Sequence, residues 1–212
     1  MYVQLLSMMQ LDIGGQARAY HRGDWVDLGQ QTALKLIANR QAQVAIPSQI
    51  PMPPGCAVVV RGDLQAADHY LTQAGITLPL LSPLDETVST YQRVLYWQPE
   101  YKLRTELLAV GFGFLDRWEI AAPLWSYREL AARLGSETER AETKAIVRDL
   151  RVPCYDPRLL FVRRCEATDR LLAEWRLDRG DERLSLLRAI YRVKPLMLAL
   201  PVNWERGKEG AM

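Results

Sequence analysis

"CAVVVRGDLQAADHYLTQAG", residues 56–75, decides the fold. Five apolar or small residues, Cys56 to Val60, read as a strand buried on both faces. The period then changes: Asp63 stands where a helix N-cap accepts from backbone N–H groups, and Gly75 stands just past the helix end. A fully buried strand running straight into a capped helix is half of a βαβ unit.

The same alternation continues downstream. "ITLPLL" (76–81), "RVLYW" (93–97), "WEIAAPL" (118–124), "RLLFVRR" (158–164) and "PLMLALP" (195–201) read as strands. Between them, "EATDRLLAEWR" places Leu171, Leu172 and Trp175 on one helical face. "DERLSLLRAIYRV" is a helix capped by Asp181. Ser126…Glu129 and Ser136…Glu139 each match a capping box and predict two tandem helices with Gly135 between them. The predicted class is α/β, a mainly parallel sheet flanked by helices.

Upstream, "IPSQIPMPPG" (46–55) carries Pro47, Pro51, Pro53 and Pro54, which neither continue a helix nor donate to a ladder. It predicts a linker over 47–55, between a small β-rich module with one helix (1–46) and an α/β domain (56–204), with a tail over 205–212. In the small module, "YVQLLSMM" is a strand, Gly14-Gly15 and Gly23-Asp24 are turns, "QQTALKLIANRQ" is a helix and "AQVAIP" a closing strand.

Bulk properties narrow the function. The 212 residues hold 27 basic and 25 acidic side chains, a net charge of +2, and 49% hydrophobic residues. That balance fits a folded protein and argues against a dedicated nucleic-acid binder. Three scattered cysteines and two histidines, His21 and His69, offer no zinc spacing. The thiols read as buried, in a reducing compartment, although Cys165 follows Arg163-Arg164 at a helix start, where a thiolate is favoured. The N-terminus lacks the basic start and long apolar core of a signal peptide, and no apolar run reaches membrane-spanning length. A soluble, cytoplasmic-type protein is expected. There is no Gly-x-Ser-x-Gly elbow and neither glycine-rich phosphate motif.

In an open α/β sheet, ligands bind beyond the carboxyl ends of the strands. Two such ends carry chemistry. After Val60 come Arg61 and Asp63, at a helix start suited to an anion. After Tyr96 come Trp97, which could stack on a base or sugar, Glu100, a candidate base or metal ligand, and Lys102. One glutamate is a poor hold for a divalent ion. Arg163 and Arg164, in a strand, point to opposite faces, so one of them can reach a cleft.

Two resemblances add to this reading. Tyr20, Gly23, Asp24, Val26, Ala33, Leu36 and Ile37 resemble a small module common in tailed-phage gene products, which implies a bacteriophage origin and no reaction. The larger domain resembles the nucleotide-diphospho-sugar transferase fold, the GT-A type of glycosyltransferase. The likeness is carried by "CAVVVRGDLQAADHYLTQAGITLPLL", by "RVLYWQPEYKLRTELLAVGFGFLDRWEIAAPL" and by "LLFVRRCEATDRLLAEWRLDRGDERLSLLRAIYRVKPLMLALPVNW". It implies a nucleotide-sugar ligand docked at the first strand and helix. It departs from the pattern where it matters. The Asp-x-Asp pair that holds the metal falls on Trp97 to Pro99 and is absent. Asp156-Pro157-Arg158 replaces Asn-x-Gly, Asp181-Glu182 stands for Asp-Gln, and Asn203-Trp204 is reversed.

The resemblance therefore implies a nucleotide-sugar donor held without metal. Arg61, Asp63, Trp97, Lys102, Arg163, Asn203 and Trp204 would bind it, with Glu100 or Asp181 as acid or base. Lys102 or Arg163 would supply charge for the departing diphosphate. The other function class is a non-catalytic phage virion, assembly or host-interaction protein on the same scaffold. Its partners would be other phage structural proteins, in the virion or the host cytoplasm. A nucleotide-binding regulator is a third reading.

Overall fold

A computed structural model describes residues 2–13, 16–22, 24–44, 50–126 and 129–200. The chain divides into two compact units, Met1–Pro51 and Met52–Met212.

In the first unit, β1 (Tyr2–Leu5) lies between β4 (Trp25–Asp27) and β5 (Ala42–Val44), antiparallel to both. Strands β2 (Met9–Ile13) and β3 (Gln16–Tyr20) pair as a hairpin, and α1 spans Gln30–Ala38. Val3 and Leu5, two apart and so on one face, are buried in a small core with Val26, Leu28, Ala33 and Ala42. Asp24 accepts from the His21 backbone N–H at 2.7 Å and closes the turn after β3. The expected glycines Gly14, Gly15 and Gly23 lie outside the described residues.

The second unit is α/β. Among the described residues, six strands, β6 (Cys56–Val60), β7 (Leu80–Leu81), β8 (Arg93–Trp97), β9 (Ile120–Pro123), β10 (Leu159–Arg163) and β11 (Met197–Leu200), stand in the order β7-β6-β8-β10-β9-β11. All run one way except β10, which is antiparallel to both β8 and β9. The helices are α2 (Leu64–Gln73), α3 (Leu108–Phe114), α4 (Glu137–Val147), α5 (Glu166–Leu177) and α6 (Glu182–Val193).

Alternation sorts the strands' side chains between two faces. Ala57, Val59, Val94, Tyr96, Leu160 and Val162 pack on one side with Leu171, Leu172 and Trp175 of α5 and Leu186, Ala189 and Ile190 of α6. Trp97 and Phe161 point to the other, where Trp97 meets Tyr70 of α2 and Phe161 meets Phe112 of α3. Burial on both faces explains the unbroken apolar run at 56–60.

Caps form where the sequence places them. Asp63 accepts from the Gln65 and Ala66 N–H groups, Ser136 and Glu139 close a full capping box, and Asp181 caps α6. The capping box expected at Ser126…Glu129 does not start an α-helix. Residues 127–128 lie outside the described residues. The Glu129 carboxylate accepts from the Trp125 indole N–H at 2.7 Å, and Leu130 bridges to Pro153. Only a short 3-10 turn, Ala131–Arg133, follows.

Helix α3 forms although Gly111 and Gly113 lower helix propensity. Gly111 is required by packing: a Cβ there would lie 2.3 Å from the Phe161 Cζ. Gly111→Ala must push the Phe161 ring or the helix aside and is expected to cost about 1–3 kcal/mol. A urea midpoint equal to wild type would show that the ring has room to move.

Candidate functional site

The carboxyl ends of β6 and β8 lie side by side. Their register is parallel, with Val60 opposite Trp97, and the Arg61 N–H donates to the Trp97 carbonyl at 2.8 Å. Beside this edge, on the α5/α6 face, is a pocket of about 240 Å³. Arg61 follows β6, Pro83 follows β7 and Tyr96 comes from β8. Leu172, Trp175 and Arg176 come from α5, and Glu182 and Ser185 from the first turns of α6.

Arg61 spans the opening. Its guanidinium lies 4.7 Å from the centroid of the Trp175 ring, a cation–π contact. It donates to the Pro157 carbonyl at 3.0 Å and to Glu182 Oε1 at 2.6 Å.

Asp178, between α5 and α6, supplies the pocket's other carboxylate. It accepts from Arg188 Nε at 2.6 Å and from Arg188 Nη2, while Arg188 Nη1 donates to Thr143 Oγ1 at 2.8 Å. Arg188 is 1% exposed. Its hydrogen bonds hold the Asp178 carboxyl below the usual range against the opposing effect of burial. The pocket therefore contains an anion whose charge is already matched from behind.

The structure redistributes the residues singled out in the sequence. Arg61 is in the pocket, and Asp63 is occupied as the α2 cap. Trp97 is fully buried on the opposite face of the sheet, donates to the Tyr101 carbonyl at 2.9 Å and packs on Tyr70. It has no surface for a ligand, and the pocket's aromatic wall is Tyr96 and Trp175. Glu100 is exposed past the strand end, with Oε1 3.9 Å from where a Cβ on Gly62 would sit. Lys102 is exposed, 5.9 Å from the Tyr70 centroid.

Arg163 sits at the opposite end of the sheet. Its strand runs backwards, its register partner is Arg93, and it faces Glu119 and the Leu115 carbonyl. It cannot supply charge at the carboxyl edge. Asp181 is committed to α6: it accepts from the Arg183 and Leu184 N–H groups and from the Arg183 guanidinium. Burial pushes its carboxyl up, but those bonds and the Arg183 charge outweigh it and hold the group low. It is not poised to carry a proton at neutral pH. Asn203 and Trp204 lie outside the described residues.

The Asp156-Pro157-Arg158 turn stands at the same edge. Asp156 accepts from the Arg158 N–H at 3.0 Å and from its guanidinium at 2.9 and 2.7 Å. Trp125 lies between two guanidinia, Arg158 at 4.7 Å and Arg183 at 4.8 Å from its ring centroid. These arginines face Asp156, Asp181 and Glu129, so their charge is compensated.

Burial pushes the Cys56 and Cys154 thiols up to about 12, so both are protonated packing groups at neutral pH. Among the described residues no cluster of three or more His, Cys, Asp or Glu is arranged to hold a metal. The end of β8 offers Trp97, Gln98 and Pro99, which do not fit a divalent ion. No described helix is long and apolar enough to cross a membrane.

No protein-family model and no curated protein matches the chain. A solved protein from Desulfovibrio desulfuricans G20, provisionally named a nucleotide-diphospho-sugar transferase, aligns with a TM-score of 0.33 and 15% identity. The alignment covers 69% of this chain and 58% of that protein, so this chain spans less than two thirds of its length.

Proposed function

We propose that the unit beyond Pro51 is a glycosyltransferase-like domain that binds a nucleotide-sugar, or the nucleoside diphosphate derived from it, without a metal. One observation carries the reading. Two adjacent parallel strands, β6 and β8, end together beside a pocket holding a cation, Arg61, and an aromatic wall, Tyr96 and Trp175. Ligands of open α/β sheets bind at such an edge, and pockets of this type combine aromatic walls with a few placed polar groups. The choice of a nucleotide among ring-bearing anions rests on the resemblance of the stretches at 56–81, 93–124 and 159–204 to the nucleotide-diphospho-sugar transferase pattern. The reading is one of binding: Asp178 and Asp181 are both held ionised by arginine partners, and neither is tuned to exchange a proton near neutral pH.

Thermal unfolding with UDP-, GDP- and dTDP-sugars, with and without manganese, tests it. A ligand at 100 times its Kd adds about 2.7 kcal/mol, a rise in Tm of roughly 5–11 °C for a protein of this size. The rise should be the same with and without manganese. If none of the three families of nucleotide moves Tm, the reading fails.

A further inference from the structure

The pocket is too small for the ligand just proposed. About 240 Å³ falls below the roughly 300–1,000 Å³ of sites that enclose drug-sized molecules, and a nucleoside diphosphate is of that size. What narrows it is one side chain. Arg61 lies over the Trp175 ring and covers the flat surface on which a planar group would stack.

Arg61 is held there by a weak tie. Glu182 is 50% exposed, and an ion pair with so exposed a partner is screened by water. The second tie, to the Pro157 carbonyl, leaves the Arg61 charge unneutralised. The other charges around the pocket decide what could replace Glu182. Asp178 is matched by Arg188, and Arg176 is exposed and in no ion pair among the described residues. Once Glu182 leaves, two cations, Arg61 and Arg176, face the hollow with no free carboxylate between them.

We infer that ligand entry is an exchange at Arg61. A phosphate-type oxygen of the ligand takes the place of Glu182, the guanidinium moves off Trp175 to follow it, and the ligand's planar ring occupies the uncovered indole face. Both halves of the ligand are needed. The acidic group releases the latch, and the ring uses the surface that the latch had covered. Glu182 is then an internal competitor that keeps the pocket shut to uncharged rings. This rests on the nucleotide-binding reading above and adds the route by which the site opens.

The test is calorimetric titration of the full chain with UDP, and with uridine as the ring without the acid, for wild type and Glu182→Gln. Glutamine keeps the shape and removes the competing charge. UDP should bind Glu182→Gln about two- to five-fold more tightly, the range of one exposed ion pair. Uridine should bind both proteins far more weakly than UDP. Acrylamide quenching assigned to Trp175, by subtraction of a Trp175→Phe protein, should rise in Glu182→Gln. UDP binding to wild type that is unchanged or weakened in Glu182→Gln, with quenching unaltered, overturns the exchange and leaves the nucleotide reading standing. If UDP, GDP and dTDP bind neither protein, the nucleotide reading fails and the exchange fails with it.

Discussion

Asp178→Ala is expected to lower stability by about 3–5 kcal/mol, the cost of leaving a buried charge without its counter-ion. Arg188 is the buried charge. It emerges from the middle of α6 at 1% exposure, and Asp178 takes two of its N–H groups. Thr143 and Ser185 are its other partners, and neither carries charge. Arginine stays protonated, so the loss is not relieved by titration. The pH dependence has a definite sign. The folded-state Asp178 carboxyl is held below its ordinary value of 3.8. The pair's contribution is therefore complete above that value and is lost as pH falls through the depressed one. Urea unfolding followed by circular dichroism should show the full gap between wild type and Asp178→Ala at pH 7. The gap should narrow only well into the acid limb. A gap below about 1 kcal/mol at pH 7 would mean that Arg188 is satisfied by another acid, such as Glu142 of α4, whose charge already acts on it.

How much of this was legible in the sequence depends on the range of the interaction that fixes each feature. Asp63, Ser136 and Asp181 were readable as caps because a cap is closed within three residues of itself. The buried face of α5 was readable from its period. At Ser126…Glu129 the glutamate accepts from the Trp125 indole and the segment continues into an isolated bridge at Leu130, a pairing with Pro153 that the local pattern does not carry. The glycine at position 111 of α3 has its reason in the Phe161 ring, some 50 residues on in the chain. The direction of β10 is set by pairing with β8 and β9, and that direction alone sends Arg163 to the wrong end of the sheet.

The pocket was the least legible part. Arg61 was identified, since it stands at the end of the first strand. The rest comes from segments far apart in the chain: Pro83, Tyr96, Trp175, Glu182. Which aromatic residue at the end of β8 faces it is a matter of one position. A strand turns successive side chains to opposite faces, so Tyr96 and Trp97 cannot both line the pocket. Trp97 could stack on a base or sugar, but a tryptophan beside a strand end is more often core, and here it is core. The sheet put Tyr96 on the pocket face.

Trp97 is accordingly expected to behave as a core residue, in a way that separates folding from binding. Trp97→Ala removes a fully buried indole packed on Tyr70 and should cost about 3–5 kcal/mol. It also strips the Tyr101 carbonyl of the indole N–H that it accepts at 2.9 Å. Trp97→Phe isolates that second loss: most of the ring volume stays, the donor goes, and about 1–3 kcal/mol is expected. Both costs appear in urea unfolding. Neither substitution alters the pocket's own lining, because the ring points to the α2 face while Arg61, Tyr96 and Trp175 meet on the other. Folded Trp97→Phe should therefore bind UDP within about two-fold of wild type, a residual expected of sites that do not touch. Trp175→Phe, by contrast, trims the face on which the ligand ring would lie and should weaken UDP by several-fold, since stacked aromatic pairs contribute about 0.5–1.5 kcal/mol. The opposite pattern, with Trp97→Phe stable but unable to bind UDP, would put the ligand on the α2 side of the sheet and remove the pocket beside Arg61 from consideration.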